Sequence, residues 1–373
     1  MINNQKMHTY FTYKYKKLLL LGICLFAIIT ISITVSSQPT EEYYRGIVVS
    51  VTSEEGEGHL YDSIEQTAEV EITTGPHKDK IVSINNLYVE NRQHLNIILE
   101  KGMRVIVGVD QIDGRPEFFL QDVARDRGLI YLVAGFIILL LIVGRLKGLK
   151  TLISLFFTGF IIVKVIFPLL LQGYSPILVA VLSAIVIIIF IMIIVGGFNY
   201  KSLAAIIGTS VGVIIAGILA YVLGEISYLT GFSSSEAQIL LSGEFNIDIR
   251  GLLFAGIIIG SLGAITDVAM SISSTTVEII EANPFISSRD LMISSFNVGR
   301  DIMGTMSNTL ILAYVGGSMH LLLALMRFEI SWLRIINTDM IATEVVRGLA
   351  GSIGLIVAIP VTALVSAELM AKR

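Results

Sequence analysis

Long apolar runs follow one another through most of the chain, and a single polar stretch with alternating character separates the first run from the rest. A helix that crosses a bilayer needs about 20 mainly apolar residues. Eight runs meet that length, at 18–35, 128–144, 151–171, 176–197, 202–223, 251–275, 292–320 and 343–368. The pattern predicts an α-helical polytopic membrane protein with about eight transmembrane helices. The first run follows Lys14, Lys16 and Lys17 and reads as a retained anchor. The alternative is a signal peptide cleaved near Val35-Ser36-Ser37, where small residues meet the usual cleavage rule.

Residues 38–127 behave differently. "YYRGIVVSV", "AEVEIT", "KIVSI", "MRVIVGV" and "PEFFLQDV" are β-branched or alternating, and turn residues separate them at Gly56-Glu57-Gly58, Gly75-Pro76 and Asp113-Gly114. Short strands with such punctuation form a small barrel or sandwich, and an OB-like barrel is the first choice. The expected organisation is therefore a basic N-terminus and anchor at 1–37, a β-rich domain at 38–127, and a seven-helix membrane domain at 128–373. Glu54, Glu55 and Glu57 near His59 read as a solvated loop rather than a cation site, since charged loops are normally wet.

Composition sharpens this picture. Of the 373 residues 54% are hydrophobic and only 15% are charged, against about 25% charged in soluble domains. The mean hydropathy of +0.79 agrees. The lone Cys24 excludes an internal disulfide and a cysteine metal site, and the five histidines lack the paired spacing of a helical zinc site. No cofactor motif, nucleotide loop or basic stripe for nucleic acid is present. Lys and Arg in short loops set orientation. Arg145, Lys147, Lys150, Lys201, Arg289, Lys372 and Arg373 fall on one side, while Glu225, Glu236, Glu244 and Asp248 fall on the other, with Arg250 at its border and a mixed last loop of Arg327, Arg334, Glu329 and Asp339. Both termini are thus expected in the cytoplasm, with 38–127 outside it.

Two of the apolar runs carry polar stripes. In the sixth, Gly256, Gly260, Gly263, Asp267, Ser271, Ser274 and Glu278 recur every three or four residues. In the seventh, Asn297, Arg300/Asp301, Gly304 and Asn308 do the same. Residues so spaced share one helix face. Small residues let helices approach and polar ones bond across, so the stripes are expected to face each other. With an inner connection near 277–291, Asp267 and Asp301 each lie about ten residues from it, or ~15 Å deep at ~1.5 Å per residue. Arg300 is expected to pair with Asp267, leaving Asp301 to pair, bind a cation or hold a proton. Intramembrane ionisable groups mark ion and proton pathways. Asp267, Ser271, Asn297, Arg300, Asp301 and Asn308 are therefore the candidate substrate- or ion-binding residues, with Lys164, Thr305 and Glu278 as accessories. The competing reading is a static ion pair that sets helix register.

Other features read as packing. Gly208, Gly212 and Ala216 form a small-residue seam. Glu344 and Arg347 read as a helix-surface pair near the interface, Pro168 and Pro360 as kinks, and Asn283-Pro284 as a turn. The heptads "SVGVIIA" (210–216) and "SIGLIVA" (352–358) are alike. They end two triplets of runs, within 151–223 and 251–368, that start on opposite sides of the membrane. Inverted transporter repeats have this arrangement.

The stretch "GSLGAITDVAMSISSTTVEI" with "NPFISSRDLMISSFNVGRDIMGTMSNTLILAYVGG" resembles the signature of YibE/F-like bacterial membrane proteins, and the likeness extends over nearly the whole chain. The resemblance implies a multi-spanning protein of the bacterial cytoplasmic membrane and supplies no reaction. Three functions remain open. The first is a non-enzymatic transporter or permease for an unknown ion or small solute. The second is a structural or regulatory protein that engages an envelope protein partner through 38–127. The third is an intramembrane aspartyl enzyme built on Asp267 and Asp301, disfavoured because the glycine-flanked aspartate context of such proteases is not reproduced.

Overall fold

The computed structural model describes residues 42–55, 63–89, 97–112, 115–242, 247–327 and 330–371. The expected first span at 18–35 and the loop of Glu57 and His59 lie outside them. The chain divides into two compact units between Ile142 and Val143.

The N-terminal unit is one antiparallel sheet of five strands: β1 (Glu42–Glu55), β2 (Ser63–Ile72), β3 (Ile81–Val89), β4 (Arg104–Ile112) and β5 (Arg115–Val123). All five expected strands are present. Their order is β3-β2-β1-β4-β5, and β3 approaches β5 so that the sheet nearly closes. Alternation drives this: Ala68 and Val70 on β2 and Val105 and Val107 on β4 are fully buried, against Val48, Ile84 and Leu99. Register slips after Val48 and after Ile106, and such bulges bend strands enough to curl a sheet. Buried Gln66 fastens the incoming chain: its amide donates to the Leu99 carbonyl at 3.2 Å and its oxygen accepts from the Leu99 amide at 2.8 Å.

Asp122 at the end of β5 accepts from the Arg125 guanidinium and from the Val123 amide, both at 2.7 Å. The Arg125 bond first, and then the amide, hold its carboxyl below the usual carboxylate range. A depressed folded pKa contributes stability above the unfolded value of about 3.9, and that contribution disappears as pH falls through the folded value. Arg125→Ala is expected to move the Asp122 titration upward, read from carboxyl-carbon NMR shifts across pH; an unchanged midpoint would contradict this. Arg45 of β1 pairs with Asp126 at 2.6 Å, joining the sheet to the start of the first helix.

That helix, α1 (Asp126–Ile161), is interrupted at Arg145, whose φ of 46° and ψ of −125° are not helical. The expected spans at 128–144 and 151–171 thus lie on either side of one break, which falls beside the boundary between the units. Beyond it the chain continues through a π-helical turn (Ile162–Ile166) into α2 (Phe167–Leu171), with Pro168 in its first turn. Then follow α3 (Pro176–Ile191), a second π-helical turn (Met192–Gly196) and α4 (Tyr200–Ile226). After these come α5 (Ser235–Ser242), α6 (Ile249–Ala282), α7 (Ser288–Gly317), α8 (Met319–Arg327), α9 (Trp332–Ile336) and α10 (Asp339–Ala371).

Five helical stretches are long and apolar enough to cross a membrane. A sixth forms if α7 and α8, bent by 59°, act as one broken span. The expected count of about eight is not reached, because one expected run lies outside the described residues and two merge into the stretch 126–171. The starts of the helices are set by capping side chains: Asn199 accepts from the Ser202 amide, Asp248 from Gly251, and Ser287 from Asp290.

Helix α6 is the hub and packs on α3, α4, α7 and α10. Its buried face carries Ile258, Ile265, Val268 and Ile272. The tightest contact joins α4 and α10. A Cβ on Gly212 would lie 2.7 Å from the Gly354 carbonyl oxygen, and one on Gly354 would lie 2.6 Å from the Gly212 oxygen. These glycines occupy equivalent positions in the two similar heptads. Gly212 also meets Ala358, and Gly354 meets Ala216, so the contacts exchange when the heptads exchange.

Candidate functional site

Where α5, α6, α7, α8 and α10 converge, they enclose a cavity of about 620 Å³. It lies at the end of the bundle that carries the connections 227–248 and 318–338. Small-molecule sites are commonly of this size, with a few polar groups set among apolar walls. Besides Ser233, Ser234 and Ser318, the polar groups here are Glu236, Tyr314, His320, Glu344 and Arg347. Each reaches the cavity because of where its helix begins or breaks. Glu344 and Arg347 lie one turn apart near the start of α10, so they share a face. His320 follows the bend after Gly317, which turns α8 across the mouth.

Arg347 Nη1 donates to Glu344 Oε1 at 2.7 Å. The two side chains keep only 31% and 24% of their exposure. The Arg347 guanidinium also stands 6.0 Å from the Tyr314 ring centroid, at the outer limit of cation–π attraction. The Tyr314 hydroxyl is buried and bonds to none of the described residues. It sits where a side chain on Gly260 would be, 2.8 Å from the Cβ position. Glycine at 260 is thus what lets this tyrosine lie across α6. The rim is fastened on two sides. Arg250 pairs with Glu225 at 2.8 Å and donates to the Gly224 carbonyl at 2.8 Å. Thr230 donates to both oxygens of Asp339, at 3.2 and 2.8 Å.

The two polar stripes do not face each other. On α7 the buried residues are Leu291, Ser295, Gly299 and Leu310, while Asn297, Arg300, Asp301, Thr305 and Asn308 are exposed. On α6 Asp267, Ser271 and Glu278 are exposed as well. The helices meet instead through a Thr276–Ser295 hydroxyl bond of 2.8 Å and through Gly299 against Ile272. Four residues down one helix match four up the other, so 267 lies level with 304. Asp301 is three residues, or ~4.5 Å of axial rise, from that level. The expected match in depth is present.

The expected pairing is not. Among the described residues the ion pairs are Arg45–Asp126, Arg125–Asp122, Arg250–Glu225 and Arg347–Glu344, and Arg300 stands over the Phe296 ring at 5.2 Å. Helix geometry gives the reason. At about 100° per residue, Arg300 and Asp301 both fall outside the arc of Leu291, Ser295, Gly299 and Leu310 that packs inward. Lys164 is also exposed. Among the described residues no group of His, Cys, Asp and Glu could hold a metal ion.

Sequence reasoning placed Glu344 and Arg347 on a helix surface and passed over Tyr314 and His320. The available signal was His320 just beyond Gly316-Gly317, a polar residue at a helix break inside an apolar run. A family model described as YibE/F-like protein matches residues 132–372. Neither the curated proteins nor the solved structures yield a match.

Proposed function

From the premise that this chain belongs to the YibE/F-like family, a membrane protein whose match spans the helical unit, we propose that it is a transporter or permease for a small solute or ion. The observation that carries the reading is the cavity of about 620 Å³ within the apolar bundle. A charged pair inside a membrane domain is costly and tends to mark a pathway. The 227–248 connection has no Lys or Arg, and although 318–338 is mixed, with Arg327 and Arg334, the bias over the other loops favours this end as the extracytoplasmic one, which makes the cavity an outward vestibule. Tyr314 across Gly260 closes its floor. Beyond that floor the α6 stripe continues through Gly263, Asp267 and Ser271. Asp267 is the proposed carrier of a coupling proton or cation. The broken α7–α8 span and the close α4–α10 crossing fit inverted repeats working about a central site. The N-terminal sheet, with β3 and β5 adjoining, fits an OB-like barrel that gates or captures outside the membrane.

Gly256 lines the vestibule, and a Cβ there meets nothing within 4 Å. Gly256→Trp therefore fills the space without disturbing the packing. Proteoliposomes holding the full protein are expected to give solute-dependent currents on a solid-supported membrane. The Trp variant should lose about tenfold or more, as occlusion of a required site does. Equal currents from folded wild type and variant, or no current across a panel of ions, amino acids and organic anions, would sink the proposal.

A further inference from the structure

Helix α7 is inside out for a chain that stands alone in lipid. Its inward face is apolar or small: Leu291, Ser295, Gly299 and Leu310, with Ile302 and Met306 packed on the core. Its outward face carries Asn297, Asp301, Gly304 and Asn308, four residues within about 60° of arc, with Arg300 at the edge. None of Asn297, Asp301 and Asn308 makes a hydrogen bond or ion pair with a described residue, and a Cβ on Gly304 would meet nothing within 4 Å. Hydrocarbon offers no partner to an amide or a carboxylate.

The chain's own spare apolar segments do not match this face. The run 18–35 holds no acid or base, and neither does 129–143. A second copy does match. A two-fold axis along the bilayer normal sets each residue opposite itself at equal depth, and such an interface must be self-complementary. Arg300 and Asp301 are sequence neighbours, so they differ in depth by only ~1.5 Å. Across the axis each base finds the other copy's acid. Gly304, one turn on, lets the two backbones close, and Asn308 meets its own counterpart, amide to amide.

We propose that the protein is a two-fold dimer in the membrane, joined through this face of α7, with Arg300 of each protomer paired to Asp301 of the partner subunit. The dimer rests on helix orientation alone and stands whether or not the protein transports anything.

The test uses full-length protein in nanodiscs with Cys24→Ser. Asn308→Cys should give a reductant-sensitive dimer on mild oxidation. Leu182→Cys, 64% exposed on α3, should stay monomeric. Arg300→Asp and Asp301→Arg should each set like charges together and lower the cross-linked fraction about tenfold or more, whereas the double swap should restore it. Monomers by mass photometry, or a swap that folds without restoring the cross-link, would overturn the dimer. So would an intramolecular disulfide between Asn308→Cys and Cys24 in a parallel sample that keeps Cys24, because the N-terminal run would then be the occupant. Should the single charge variants misfold, the Asn308→Cys cross-link and mass photometry decide by themselves.

Discussion

Gly212→Leu and Gly354→Leu are each expected to abolish the folded protein, seen as loss of a monodisperse peak in size exclusion. At this crossing the atom facing each glycine is a backbone carbonyl oxygen, at 2.7 Å from Gly212 and 2.6 Å from Gly354. A flexible side-chain tip can move aside, but a carbonyl locked in a helix cannot. The α4 and α10 axes must separate, and the fully buried Ile265, Ala216 and Ala358 around them lose contact. Even Gly212→Ala should cost about 1–3 kcal/mol, the usual penalty of overpacking. Gly263→Ala is the control. It meets nothing within 4 Å and replaces a poor helix former, so a gain of up to ~1 kcal/mol is expected. A Leu variant that melts with the wild type would show that the two helices do not touch as described.

Removing one half of the Glu344–Arg347 pair is expected to have the second large effect. Arg347→Met leaves the Glu344 carboxylate in a largely buried site without its donor. A fully buried pair loses about 3–5 kcal/mol when broken this way. Residual exposure of 31% and 24% lowers the expectation to roughly 1–3 kcal/mol, since water screens part of the loss. That corresponds to a fall of several degrees in Tm, at about 2–4 °C per kcal/mol for a unit of this size. Glu344→Gln combined with Arg347→Met should recover much of the stability while flux stays low. That split separates the pair's contribution to folding from its contribution to the cavity. Should the single and double variants melt alike, Glu344 does not depend on Arg347.

Much of the architecture was legible because membranes and sheets impose strong periods. The five strands were readable from β-branched alternation, and Gly208, Gly212 and Ala216 were correctly read as a packing seam. The candidate site was less legible. A helical wheel shows that Asn297, Asp301 and Asn308 share a face, but it does not show which neighbour covers that face. In α7 a second set, Leu291, Ser295, Gly299, Met306 and Leu310, repeats at the same spacing on the opposite side, and it is this set that packs inward. Ser295 lies within it because its hydroxyl has a buried partner in Thr276. The depth estimate assumed a connection of about fifteen residues, whereas α6 runs to Ala282 and α7 starts at Ser288. The cavity was out of reach because five helices contribute to it and each contributes only a residue or a few. Glu344 and Arg347 look like a surface pair until Tyr314 from another helix is laid over them.

Helix α6 has 34 residues and α10 has 33, so each measures ~50 Å at ~1.5 Å per residue. The hydrocarbon layer is only ~30 Å thick. Each helix thus has about four turns more than an upright crossing of that layer uses, to be taken up by tilt or by projection beyond the acyl chains. The end bearing Lys201, Glu278, Glu281, Arg289 and Asp290 gathers charges suited to headgroups and water rather than to acyl chains.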